Sequence, residues 1–342
     1  MLTNAGIDTA MFDVTNGFTY LDIVQALCET WINVREDGNT TPQIAFLCPF
    51  GSAREVVREL YDNISAKGLH KELWFQWKSK PLIMADPATI DEVLRDFFTY
   101  RKPQGSYVEG PTSPGQWGWL EVYPQHVFMN ADGESDQMTV GVAQNSQAAN
   151  RLSSMSESNV TGRSWHNGSR DLKPNTVNIG LNFAEQWRRA MEIDPSFIFV
   201  TGWNEWAAMR LNDFADVQLP VMFVDQFKQE YSRDIEPMAE GHADSYYYQL
   251  VDSVRHYKGV RPQATASEAK TIVIDGRFDD WTDVNPEYLD GRYLSPRSPG
   301  VGCRWEIFRH NGPQRYRAMQ GRQGRQEYLL LCAHASQTNP AD

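Results

Sequence analysis

The sequence predicts an α/β protein built as a (β/α)8 TIM-type barrel. Strand-like apolar runs alternate with amphipathic helices, and about seven strand candidates precede residue 230. The segment 197–206 also starts as an apolar strand and ends in an amide, a carboxylate and two indoles. In parallel α/β proteins the functional residues gather at the carboxyl ends of strands, so this segment is the first candidate for a site.

The predicted elements follow one another in a regular order. Strands are predicted at 10–14, 44–48, 81–85, 97–100, 137–143 and 197–201, and helices at 20–34, from 52 onward, at 89–96 and at 182–193. Ser52 and Glu55 match a capping box at the start of the second helix. Because only a short tail precedes Gly6, we expect the barrel to lack its usual first strand and the chain to be a truncated piece of a longer protein.

Three segments divide the chain. Residues 1–260 form the predicted barrel domain, 261–270 have linker composition, and 271–342 open a further β module. Within the barrel, the long segments 101–133 and 145–175 are predicted to be functional loops. From Arg292 to Arg325 the chain has eight Arg, no Lys and one acid, a change typical of an out-of-frame end or a basic tail.

Composition excludes several classes of function. A net charge of -12 argues against nucleic-acid binding, and no apolar stretch is long enough for a membrane span. Four widely spaced Cys and isolated His residues indicate no metal site, and phosphate-binding and dinucleotide-binding motifs are missing, so no cofactor is expected. Cys28 and Cys48 are predicted to be small core residues. Residues 1–6 show no signal-peptide pattern, and the sequence does not indicate an oligomeric state.

Cleavage of a glycosidic bond needs two carboxyl groups, one as proton donor and one as base or nucleophile. Glu205 is the first candidate, because it follows a predicted buried strand between two Trp residues. Glu121, among aromatic residues, and Glu236 are the candidates for the proton donor. Asp13 and Asp86, at the ends of other predicted strands, are further candidates for the second carboxyl group, although Asp13 could equally cap the next turn.

Sugar binding is predicted for aromatic and polar residues near these strand ends, because indole faces stack on sugar rings and polar side chains bind hydroxyl groups. Residues 162–168 combine a cation, an indole, an imidazole and an amide in one loop. The predicted substrate-binding residues are Asp13, Asn16, Asp86, Trp117, Trp119, Arg163, Trp165, His166, Trp203, Asn204, Trp206 and Arg210.

The segment Thr-Gly-Trp-Asn-Glu-Trp at 201–206 resembles the strand end of glycoside hydrolase family 99 and of the related WbsX-like domains. The resemblance implies a (β/α)8 barrel that acts on glycans. In those relatives a second Glu, the general acid, follows three residues later, and this chain has Ala208 there. The pair Glu236-Pro237 resembles the acid-Pro pair found further along in the same relatives.

Residues 274–281 are similar to the opening of carbohydrate-binding family 9-like β-sandwich modules, which often accompany secreted enzymes. The resemblance implies an extracellular or periplasmic location for the full-length protein. The sequence therefore predicts a glycoside hydrolase acting on a poly- or oligosaccharide. The alternatives are a non-catalytic glycan-binding protein on a barrel scaffold and a glycosyltransferase-associated WbsX-like protein.

Overall fold

The computed structural model describes most of the chain up to residue 259 and parts of the remainder. The described residues are 1–147, 151–206, 208–259, 267–268, 270–273, 275, 277, 279–284, 287–289, 315–323 and 328–335. The chain divides into two compact units, Met1–Gly259 and Val260–Asp342. Among the described residues, no helix is long and apolar enough to cross a membrane.

The first unit is a mixed α/β structure. Its helices are α1 (Leu2–Ala5), α2 (Leu21–Glu36), α3 (Arg54–Leu60), α4 (Glu92–Arg95), α5 (Leu181–Ile193) and α6 (Ser245–Lys258). Its first eight strands are β1 (Thr9–Asp13), β2 (Gln43–Leu47), β3 (Gln76–Trp77), β4 (Lys80–Met84), β5 (Thr99–Gln104), β6 (Gln116–Gly118), β7 (Phe128–Met129) and β8 (Ser135–Gly141). The next eight are β9 (Gln144–Gln147), β10 (Arg151–Leu152), β11 (Val160–Thr161), β12 (Trp165–His166), β13 (Ser169–Arg170), β14 (Phe197–Thr201), β15 (Arg210–Phe214) and β16 (Val217–Phe223).

A six-stranded sheet organises the first half of this unit. Its order is β1-β2-β4-β5-β6 with every neighbouring pair parallel, and β3 pairs antiparallel with β4. A second sheet contains β14 parallel to β8, with β7 antiparallel on the other side of β8. Gln137 in β8 joins the two sheets, because its amide donates to the carbonyl of Gly118 (2.8 Å) and accepts from the Gly118 N–H (3.0 Å).

Three apolar clusters explain this arrangement. One contains alternate residues of both sheets, so that the two sheets share a core; its members include Met11, Ala45, Leu47, Leu82, Met84, Trp117, Phe197 and Phe199. The other face of β1, β2 and β4 packs on α2 and α3, and the other face of β8 and β14 packs on α5 and α6. Strands covered on both faces read as continuous apolar runs, which is the pattern seen in the sequence.

Most predicted elements of the first unit are confirmed within a few residues, and 197–201 matches β14 at both ends. The capping box is wrong: α3 starts at Arg54, and Ser52 makes no capping hydrogen bond. The Ala53 N–H donates instead to the Thr89 hydroxyl (3.3 Å), a partner distant in sequence. The segments predicted as long loops contain β6, β7 and the short strands β9 to β13, which are too brief for a periodic signal.

In the second unit, β17 (Glu287–Leu289), β18 (Arg315–Gln323) and β19 (Tyr328–Ala335) form an antiparallel sheet in that order. A short 3₁₀ turn covers Asp279–Trp281, and Asp280 accepts a hydrogen bond from the Val273 N–H (3.1 Å). The motif 274–281 lies partly outside the described residues, and residues 292–314 lie wholly outside them.

Candidate functional site

Glu205 follows the carboxyl end of β14 on a backbone turn that begins at Gly202. Gly202 has φ +87°, a left-handed conformation, and a side chain there would collide with the backbone carbonyl of Arg233. The N–H of Ile235 donates to the Gly202 carbonyl (3.0 Å), and the N–H of Glu236 donates to the Trp203 carbonyl (2.9 Å). The chain around residue 234 therefore runs alongside the end of β14 and fixes the turn that presents Glu205.

Arg233 is the charged centre of the site. Its side chain is only 2% exposed and donates to Glu205 Oε2 (2.7 Å), to Asp225 Oδ1 (2.8 Å) and to the side-chain oxygen of Asn145. The guanidinium also lies over the Trp119 ring, 5.2 Å from its centre. Burial lowers the pKa of Arg233, but the carboxylates of Glu205 and Asp225 outweigh the effect of burial and raise the pKa overall. This cation therefore stays charged and fixes the orientation of Glu205.

Asp234 supports the backbone of the same turn. Its buried carboxylate accepts hydrogen bonds from the Glu205 N–H and from the Gln226 amide, which also donates to the Glu205 carbonyl. Burial raises the pKa of Asp234, while Arg233 and the Glu205 N–H oppose the rise. Arg233 thus holds the side chain of Glu205, and Asp234 holds its backbone.

The carboxylate of Glu205 remains accessible, with 39% of its side chain exposed. Partial burial raises its pKa, Arg233 opposes this rise, and the nearby carboxylates of Asp225 and Asp13 add to it. Asp13 ends β1, and Met11 of β1 lies in the same apolar cluster as Phe199 of β14, so the structure brings these two strands together. Burial also raises the pKa of Tyr107, on which the charges of Arg233, Asp225, Glu205 and Asp13 act as well.

Glu236 contacts Trp206, the residue that follows Glu205. Its Oε2 accepts a hydrogen bond from the Trp206 indole N–H (2.7 Å), and the Trp206 ring stacks on His242 with a 16° angle between the planes. Trp206 is 44% exposed, so part of its flat face is open to solvent. Glu236 is partly buried and sits in the segment that pairs with the turn of Glu205. Glu236 is thus linked through Trp206 to the chain segment that presents Glu205.

Glu121 has a different environment from the other carboxylates. Its side chain is fully buried, accepts a hydrogen bond from the His126 N–H (2.7 Å) and lies 3.1 Å from His126 Nδ1. Burial raises its pKa to about 8, while the His126 N–H and the charge of Arg189 oppose the rise. The Glu121 carbonyl also accepts from Gln186 of α5 (2.9 Å). The carboxyl group is therefore protonated near neutral pH but is enclosed by protein.

Asp86, Trp117 and Trp119 follow or lie in the parallel strands. Asp86 accepts from the Ala88 N–H (2.9 Å) and pairs with Lys102 (2.7 Å), and these partners lower its pKa. Trp117 is buried in the shared core, where its indole N–H donates to Asp136 Oδ2 (2.6 Å). Trp119 is almost fully buried beneath Arg233 and forms part of the floor of the site.

Residues 162–164 of the segment 162–168 pack inward, and residues 167 and 168 are exposed. Arg163 is fully buried and donates to the Ser232 hydroxyl (3.1 Å) and the Asp234 carbonyl (2.6 Å), so it supports the Arg233 segment from below. Trp165 and His166 form β12 and are half-buried. Arg163 thus connects this segment to residues 232–234, which hold Glu205.

The remaining predicted contacts are more open. Asn204 and Arg210 are exposed, and Trp203 packs partly against the α5–α6 cluster beside Tyr247. Asn16 is exposed, but its side chain bonds within its own loop.

Sequence reasoning missed Arg233, Asp225 and Asn145, which complete the site. Each signal was present but ambiguous. Asp225 follows an apolar run, as Glu205 does, and Arg233 and Asp234 are adjacent charges beside the buried Ile235. Charged pairs of this kind are usually solvated, and only packing identifies the buried ones.

Comparisons with protein families, with curated proteins and with solved structures found no match for this chain. Within the described residues, no cluster of three His, Cys, Asp or Glu side chains could hold a metal ion. Cys28 and Cys48 are free thiols in the core, as predicted.

Proposed function

We propose that this chain is a glycoside hydrolase that cleaves a poly- or oligosaccharide through two carboxyl groups. The observation that supports this most directly is the accessible carboxylate of Glu205, held by a buried arginine at the end of a parallel strand. A surface glutamate needs no buried arginine beside it. A catalytic carboxylate must keep one orientation and stay ionised, and a neighbouring arginine serves both requirements.

Glu205 is assigned as base or nucleophile. Arg233 favours its ionised form and restricts its rotation, since the guanidinium holds Oε2 and leaves Oε1 for the reaction. In an inverting reaction this carboxylate takes a proton from water, and in a retaining reaction it attacks the anomeric carbon.

Glu236 is assigned as proton donor in preference to Glu121. A donor must touch the glycosidic oxygen, and Glu121 has no exposed surface from which to do so. Glu236 lies beside the exposed Trp206, on which a sugar ring can stack. The assignment also supplies a donor despite Ala208, because it takes the carboxyl group from the acid-Pro pair.

We extend the proposal to the fold. A (β/α)8-type barrel that lacks its first strand accounts for the inner cluster shared by both sheets, the outer clusters beneath the helices, and the link between β6 and β8 through Gln137. In such a barrel, catalytic residues lie at the carboxyl ends of several strands. Asp13 ends β1 and Glu205 follows β14, and these positions agree with that geometry.

The test is reducing-sugar release from a panel of polysaccharides by the intact chain and three variants. Glu205→Gln and Glu236→Gln should each lose about 10²–10⁴-fold in kcat, the range for a positioned acid or base. Glu240→Gln, at an exposed glutamate in the following loop, is the matched control and should behave as wild type. If Glu205→Gln keeps its activity within about tenfold of wild type, the assignment is wrong.

Added azide should attack the anomeric carbon in Glu205→Ala as the glycosidic C–O bond breaks, and a glycosyl azide of inverted anomeric configuration would identify Glu205 as the nucleophile. A non-catalytic glycan-binding protein is the second candidate, and Ala208 favours it. Retention of a glycan without any sugar release by the wild-type chain would select it. Turnover that required a nucleotide sugar would instead select a transferase-associated role.

A further inference from the structure

Two exposed aromatic side chains stand together in the segment that follows β1. Phe18 is 68% exposed and Tyr20 is 43% exposed, and their ring centres are 6.3 Å apart with a 47° tilt. Single exposed apolar residues are common on protein surfaces. An adjacent pair on a constrained loop requires a further explanation.

The loop is constrained by specific contacts. Asn16 Oδ1 accepts from the Phe18 N–H (3.1 Å), and Asn16 Nδ2 donates to the Tyr20 hydroxyl (2.6 Å). Tyr20 adopts φ +47°, a left-handed conformation that is uncommon and costly for a bulky residue. Strain of this kind persists where the surrounding structure enforces it, and here it displays an aromatic face to solvent.

The pair borders a surface pocket of about 320 Å³, near the low end of the roughly 300–1,000 Å³ typical of small-molecule sites. Its lining residues are Gly17, Phe18, Thr19, Tyr20, Leu21, Asp22 and Glu59. Thr19 is fixed by its hydroxyl, which donates to Glu59 Oε1 (2.9 Å). The pocket combines flat apolar faces with two carboxylates, which accept hydrogen bonds from hydroxyl groups. A sugar unit presents both an apolar ring face and several hydroxyl groups.

The pocket is connected to the candidate site through a short piece of chain. Asp13 ends β1, and Met11 of β1 lies in the same apolar cluster as Phe199 of β14, the strand that precedes Glu205. Phe18 lies five residues later, and five residues span at most about 17 Å. The pocket is therefore within the reach of a few linked sugar units from the Asp13 end of the site.

We infer that the pocket bordered by Phe18 and Tyr20 is a distal subsite that binds one sugar unit of the glycan cleaved at Glu205. This inference rests on the proposed function and deepens it, because a distal subsite gives an advantage only to a long substrate. The preferred substrate class is then a polysaccharide or long oligosaccharide rather than a disaccharide.

Affinity electrophoresis through gels that contain xylan, mannan, β-glucan or pectin tests the inference. Phe18→Ala, Phe18→Trp and Tyr248→Ala are compared in the Glu205→Gln background and in the unmodified chain. Tyr248 is the matched control, an aromatic residue on α6 that is 52% exposed. Phe18→Ala should weaken retention by the best-bound polysaccharide about tenfold, as loss of one aromatic contact predicts, while Phe18→Trp retains it and Tyr248→Ala binds as wild type. Thermal unfolding of each variant checks that the fold is intact.

Length dependence gives a second readout. The affinity of the wild-type chain should rise along a series of oligosaccharides made from that polysaccharide, and Phe18→Ala should flatten the rise. Equal retention by Phe18→Ala and wild type would overturn the inference and leave the proposed hydrolase intact. Weakened retention in a chain that releases no sugar would support the subsite and reject the hydrolase, and a wild-type chain that binds none of the glycans would reject both.

Discussion

Replacement of Arg233 by Met should destabilise the first unit and alter the pH dependence of activity at the same time. Met preserves much of the packing against Trp119 and removes the charge. The Asp225 side chain is 10% exposed, so its carboxylate would stay buried without a cation. Breaking a buried ion pair from one side costs about 3–5 kcal/mol. Because Glu205 is more exposed and can be hydrated, we expect the lower end, about 3 kcal/mol.

Urea denaturation at neutral pH measures this loss, which corresponds to a fall in Tm of roughly 6–12 °C for a unit of this size. Arg255→Met is the control, because Arg255 is exposed on α6 and its replacement should cost no more than about 0.5 kcal/mol. Adding Asp225→Asn to Arg233→Met should recover part of the stability, since it removes the unpaired charge. A loss within about 1 kcal/mol of wild type, or strictly additive effects of the two substitutions, would refute the reasoning.

The same substitution has a kinetic signature. Arg233 opposes the rise in the pKa of Glu205, so its removal should raise that pKa further. The acid limb of the kcat/KM profile should therefore move to higher pH in Arg233→Met, whereas a merely structural loss would lower the whole profile without moving the limb.

Two further changes test the buried carboxyl group and the turn. Burial raises the folded-state pKa of Glu121 to about 8, so the stability that this carboxyl group contributes is complete below about pH 4.5 and is lost as pH rises through about 8. In urea denaturation, Glu121→Gln should flatten the fall of stability with rising pH. The exposed control Glu192→Gln should show the same fall as wild type. Gly202→Ala should lower kcat and the Tm together, because the new methyl group meets the Arg233 carbonyl at a positive φ, whereas Gly51→Ala, with open space around the position, should leave both unchanged.

Much of the local structure could be predicted because it depends on neighbouring residues. The apolar period of α5 and the continuous apolar run of β14 are local signals, and both elements appear within one residue of their predicted bounds. The sequence left open whether Asp13 caps a turn, and the structure shows that it does, since it accepts from the Thr15 N–H (2.9 Å). The strand that Asp13 ends also shares an apolar cluster with β14, which only the packing of distant strands brings about.

The sequence alone therefore determined where the strands end and which carboxylates follow them, since both depend on short-range patterns. Tertiary structure decided which of those carboxylates share a site. Arg233 reaches Glu205 across 28 positions and Asn145 across 88, and no local pattern records such contacts. Burial also separated two glutamates that look alike in sequence, because Glu121 is enclosed beneath α5 while Glu205 remains open to solvent. Long-range packing sets the exposure, the charge partners and the pKa of each group, and these properties decide which carboxylate can touch a substrate.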